Sequence, residues 1–151
     1  MEKGTIRRAK EYMTAFVRRS YWMGLFMKIS FSTLGCPDFE WADIYSAAKD
    51  LGFDGVEIRG IGDDISALNA PPFREERLPQ TVQQLKRLRL EIPCLSCNCC
   101  LKFADKEEEN RKEILAYIAL AQKLGAPYIR ILADLHKEPE GEVDDAAIIR
   151  Q

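Results

Sequence analysis

An α/β fold is predicted, specifically the N-terminal half of a (β/α)8 barrel with four parallel strands alternating with helices. Three repeats of one local pattern carry this prediction. In each, a helix-like stretch ends in Leu and runs into a short apolar strand: Leu51-Gly52-Phe53-Asp54-Gly55-Val56-Glu57-Ile58, Leu88-Arg89-Leu90-Glu91-Ile92-Pro93-Cys94-Leu95 and Leu124-Gly125-Ala126-Pro127-Tyr128-Ile129-Arg130-Ile131. A further strand at 28–33 precedes them. The strand starts lie about 27, 37 and 36 residues apart, the spacing that βαβ crossovers require. A complete barrel takes ~250 residues, so a chain of 151 is expected to hold half of one.

Each element has its own signal. Residues 27–33 alternate with period two and read as a strand, which Gly35-Cys36-Pro37 breaks. Asp38 is the expected N-cap of a helix over 39–51, with Trp41, Ile44, Tyr45, Ala48 and Leu51 as its buried stripe and Gly52 as its stop. The second strand is 55–59. A long loop with Gly60, Gly62, Pro71 and Pro72 leads to a helix over 79–90, started by Pro79 and facing inward at Val82, Leu85 and Leu88. The third strand is 92–98. A third helix over 106–124 has Ile114, Leu115, Ile118 and Ala121 as its stripe and Gly125 as its stop, and the fourth strand is 128–133. Residues 144–149 read as the start of another helix.

Composition bounds the function. Charged residues are 30% and apolar residues 46%, ordinary for a globular protein with a real core. Net charge is −2, which implies no whole-chain attraction to nucleic acid. Residues 1–26 carry six Lys or Arg against two Glu, so they hold +4 and the remainder −6. This basic, aromatic segment reads as an extension upstream of Met27. A targeting helix and a membrane-surface helix are the other readings. The barrel segment is 27–151. No apolar run approaches the ~20 residues of a membrane span. Cys94, Cys97, Cys99 and Cys100 crowd along one strand, where disulfide geometry is hard to reach, so a reducing, cytoplasmic setting is expected. Cys94 and Cys97 have C-x-x-C spacing, but no second pair completes a zinc site. Buried, inert cysteines are the expectation, with an oxidisable thiol at Cys99 or Cys100 as the alternative.

The strand faces hold the functional hint. One face carries Ile29, Phe31, Val56, Ile58, Ile129 and Ile131 and is expected under the helices. The other carries Ser30, Ser32, Glu57, Arg59, Ser96, Asn98 and Arg130. Buried charges are costly unless paired, so a polar inner face suits a polar ligand. A structural ion pair of Glu57 with Arg130 is the plainer alternative. His136, beside Asp134, is the lone histidine and reads as a loop residue.

The stretch Met27-Lys28-Ile29-Ser30-Phe31-Ser32-Thr33-Leu34-Gly35-Cys36-Pro37, then Gly52-Phe53-Asp54-Gly55-Val56-Glu57-Ile58-Arg59-Gly60, resembles the xylose isomerase-like barrel superfamily, and within it the sugar phosphate isomerases/epimerases. The segment Leu124-Gly125-Ala126-Pro127-Tyr128-Ile129-Arg130-Ile131 is similar to that group's fourth strand. The resemblance implies a proton shift between adjacent carbons of a small sugar or sugar phosphate. It also implies a divalent metal (Mn, Mg, Co or Zn) for the full-length protein, held by ligands on the last four strands and absent from this chain. Glu57, Arg59 and Arg130 match the family's pocket wall, and Asn98 stands where some relatives place a His. These four are the expected substrate-binding residues; no catalytic residue is assigned. The expected partner is the sugar, with neither nucleic acid nor membrane. A lone half is expected to be inactive. The other readings are a non-catalytic half-barrel that binds or assembles, as a homo-oligomer covering its open strand edges, and an abasic-site endonuclease.

Overall fold

The structure, a computed structural model, describes residues 27–133 together with Ala146 and Ile149, both helical. The extension at 1–26, Asp134, His136 and the rest of 144–149 lie outside the described residues.

Within residues 27–133 four strands alternate with three α-helices. β1 is Ser30–Ser32, α1 Trp41–Leu51, β2 Gly55–Glu57, α2 Leu78–Leu88, β3 Cys94–Cys100, α3 Glu107–Leu124 and β4 Tyr128–Leu132. All pairings between these strands are parallel. β1 pairs with β2, placing Ser32 beside Glu57, and β3 pairs with β4, placing Ser96 beside Arg130. Bridges at Gly55 with Glu91 and Ile58 with Leu95 join β2 to β3. There the Ile58 N–H donates to the Cys94 carbonyl at 3.0 Å and the Ser96 N–H to the Ile58 carbonyl at 2.8 Å. The spatial order therefore follows the chain order, as in consecutive staves of a barrel.

The core lies between the helices and the outward faces of the strands. Ile44 and Ala48 of α1, Val56 of β2, Leu95 and Cys97 of β3, and Tyr117 of α3 are fully buried there with Ile58. Trp41 packs edge-on against Tyr45 and Phe73.

Local chemistry moves several expected boundaries. β1 gives way at Thr33–Gly35 to a 3-10 turn, because the Ser32 hydroxyl accepts the Leu34 N–H. α1 starts at Trp41 with Glu40, not Asp38, as its N-cap, and the Asp43 carboxylate accepts the Glu40 N–H at 3.2 Å. Gly52 and Gly125 end α1 and α3 in left-handed conformation as expected. α2 stops at Leu88, two residues early. Arg89 takes the left-handed cap at φ 54°, and its N–H and that of Leu90 close on Lys86 and Leu85.

The face of α3 differs most from expectation. Asn110, Tyr117, Leu120 and Ala121 are buried, whereas Leu115 is 55% and Ile118 39% exposed. Tyr117 turns the helix. Its hydroxyl accepts the Ala67 N–H and shares a hydrogen bond with Ser66, both at 3.1 Å, so the loop after β2 is tied to α3. Ile131, expected under a helix, is 37% exposed; among the described residues nothing covers that flank of β4.

Candidate functional site at the carboxyl ends of the strands

Alternation along parallel strands places Glu57, Ser96 and Arg130 side by side on one face. The Ser96 hydroxyl donates to Glu57 Oε1 at 2.5 Å, and Arg130 Nη1 stands 3.6 Å from the same oxygen. Ser96 is fully buried. The Glu57 side chain is 24% exposed and that of Arg130 51%. Three strands thus converge on one carboxylate, with its serine partner fixed and its arginine partner reaching into solvent. The ion pair of Glu57 with Arg130, the plainer alternative to a ligand site, is present.

Arg59 is more constrained. Its guanidinium donates to the Cys97 carbonyl at 2.5 Å, and its backbone N–H donates to Thr33 Oγ1 at 3.0 Å, an oxygen that also takes the Gly60 N–H. Thr33 is buried and stitches β1 to the turn after β2. Asn98 lies where β3 leaves its register. Ser96 faces Arg130 and Cys100 faces Leu132, so four residues of β3 advance against two of β4, a bulge. Its Asn98 N–H donates to Glu113 Oε1 at 3.1 Å.

Of the four expected substrate-binding residues, the fold brings Glu57 and Arg130 together and ties Arg59 to the bulge that carries Asn98. Sequence reasoning placed Ser96 on the inner face without giving it a role, and it missed Thr33, Asn110, Glu113 and Tyr117. The available signal was three residues one turn apart, Asn110, Glu113 and Tyr117, on the helix before β4.

All five cysteines are free, and Cys97, Cys99 and Cys100 are buried. Burial, with the neighbouring Cys97 and Glu113, pushes the Cys99 thiol up to about 12; burial also raises Cys36 and Cys94. Cys99 and Cys100 are enclosed, at 2% and 6% exposed, which argues against an oxidisable thiol at the mouth. Among the described residues no group of three or more His, Cys, Asp or Glu could hold a metal ion, so these residues by themselves do not fit the divalent metal that the resemblance implies. No described helix is long and apolar enough to cross a membrane.

A family model for the xylose isomerase-like TIM barrel matches residues 45–151. The chain belongs to that family. The match begins within α1, so β1 lies ahead of it. No curated protein and no solved structure matches the chain. Xylose isomerase-like barrels include isomerases or epimerases and endonucleases. Active sites of TIM barrels sit at the carboxyl ends of the strands, and here Glu57 ends β2, Arg59 follows it by two residues, and Asn98 lies in the bulge of the carboxyl-terminal half of β3.

Proposed function

We propose that these residues form one wall of the pocket of a sugar isomerase or epimerase. Its substrate is a small sugar or sugar phosphate, and its reaction moves a proton between adjacent carbons. The observation that carries this reading is the Glu57 carboxylate shared by Ser96 and Arg130. A fixed acceptor beside a half-exposed guanidinium, with the Asn98 amide nearby in sequence, suits vicinal hydroxyls, which donate and accept in turn. Glu57 and Arg130 hold and orient the ligand; Ser96 fixes the carboxylate rotamer.

Proton transfer in both directions needs a positioned acid and base. Glu57 is the only carboxylate on the described strands, so the second group, and any metal ligands, are assigned to residues outside the described set. The wall therefore binds without turning over on its own.

Saturation-transfer NMR on the full chain, with aldoses, ketoses and their phosphates, tests this. Wild type is expected to bind, and Arg130→Ala is expected to abolish binding while leaving the melting temperature close to wild type. The second half of that expectation follows because a solvent-exposed pair contributes only about 0–1 kcal/mol. No binding by wild type would sink the reading.

A second reading has its own observation. Leu115 is 55% exposed and Ile118 39%, and on β4 Tyr128 is 70% exposed and Ile131 37%. These suit an assembly module that covers them with another copy, and the solution mass by light scattering decides between one chain and two.

A further inference from the structure

A strand that advances four residues against two leaves backbone groups that the ladder cannot satisfy. In β3 side chains take them up, and those side chains come from both flanks. Arg59, from the β2 side, caps the Cys97 carbonyl. Asn110 Nδ2 of α3 donates to the Cys100 carbonyl at 3.0 Å. Glu113, one turn further along α3, accepts the Asn98 N–H. Two thiols of β3 fasten it to its neighbours: Cys97 Sγ donates to the Arg130 carbonyl of β4 at 3.3 Å and Cys99 Sγ to the Asn110 carbonyl of α3 at 3.6 Å. Cys97, Cys99, Cys100 and Asn110 are all buried, so solvent is a poor substitute for these partners. Asn98 is the member of the bulge that stays partly exposed. Bulges beside binding sites re-aim side chains, and a bulge fastened at every neighbour of Asn98 fixes the direction of that one residue.

We infer that Glu113 is a positioning residue, which acts from the helix layer by holding the Asn98 backbone so that the Asn98 amide is presented to the ligand. The ligand role of Asn98 rests on the proposed function; the hold exerted by Glu113 does not. Because the acceptor is a carboxylate on a backbone N–H, the bond is of the stronger, charge-assisted kind. Glutamine at 113 keeps an oxygen acceptor and should retain part of the hold, whereas alanine keeps none.

The test is amide hydrogen exchange with two-dimensional NMR on the full chain without ligand, comparing wild type, Glu113→Gln and Glu113→Ala. In Glu113→Ala the Asn98 amide is expected to exchange about tenfold faster or more. Its side-chain NH2 resonances are expected to move, while the Ala67 amide held by Tyr117 keeps wild-type protection. Glu113→Gln is expected to fall between the two. The inference is overturned if the Asn98 amide is unchanged in Glu113→Ala. Equal acceleration of Asn98 and Ala67, or failure of both variants to fold, overturns it too, because Glu113 would then serve the fold as a whole. A sugar titration of the same samples separates the two claims. If wild type binds no sugar, the proposed function fails while the exchange result still decides the hold.

Discussion

Single buried atoms decide most of what this site can do. Thr33 shows how: one hydroxyl oxygen accepts the N–H groups of both Arg59 and Gly60, in a side chain only 3% exposed. Thr33→Val keeps the shape and removes the acceptor. It is expected to destabilise by about 1–3 kcal/mol, the penalty for an orphaned buried donor. Urea denaturation of the two proteins would measure the difference, and a loss under a few tenths would remove Thr33 from the stitch. At this scale the sequence was half legible. Charge on an inward strand position stands out against the usual apolar run of a parallel strand, so Glu57 and Arg130 could be singled out, and the fold brings them together. Thr33 and Glu113 were not, because a short polar side chain beside a turn, or a carboxylate on a charged helix, reads as solvated until a specific donor is seen against it.

At the level of elements, chain breaks and caps were legible where glycine announces them and less so elsewhere. Gly52 and Gly125 stop their helices as expected. Arg89 does the same work at φ 54° without glycine's freedom. A left-handed non-glycine residue is strained by about 1–2 kcal/mol, so Arg89→Gly is expected to raise stability by up to about 1 kcal/mol, less the greater freedom of glycine in the unfolded chain. A thermal melt that falls instead would mean that the arginine side chain holds the cap by a contact of its own. The inward face of α3 was misjudged for a related reason. Its largest buried side chain, Tyr117, carries a polar tip, and apolar pattern alone assigned the face to Leu115 and Ile118.

The whole molecule should answer to alkali. Cys99 keeps its proton to about 12 in the folded state from an ordinary 9.0, and burial also raises Tyr117 above 10.0. A raised folded value means that the native state binds the proton more tightly than the unfolded chain. The contribution is therefore complete below pH 9 and is lost as pH climbs from 9 toward 12. Melting temperatures measured across that range are expected to fall, and Cys99→Ala is expected to flatten the slope; an unchanged slope would show that the thiol is not the titrating group. The α/β alternation, the parallel order and the family were all legible at this scale, because period and spacing survive errors of two residues at every boundary.

Arg130 has one further consequence, which concerns company rather than chemistry. It is the lone charge in the five-residue run Tyr128-Ile129-Arg130-Ile131-Leu132, on a strand with no neighbour beyond it among the described residues. A charge in an edge strand discourages it from adding to the edge of another molecule. With Arg130→Leu the run becomes five uncharged, β-prone residues, the kind of window that seeds aggregation. Refolding from urea is then expected to scatter light where wild type stays clear, and Arg130→Lys to stay clear as well. The residue proposed to greet a sugar also keeps the chain from greeting itself.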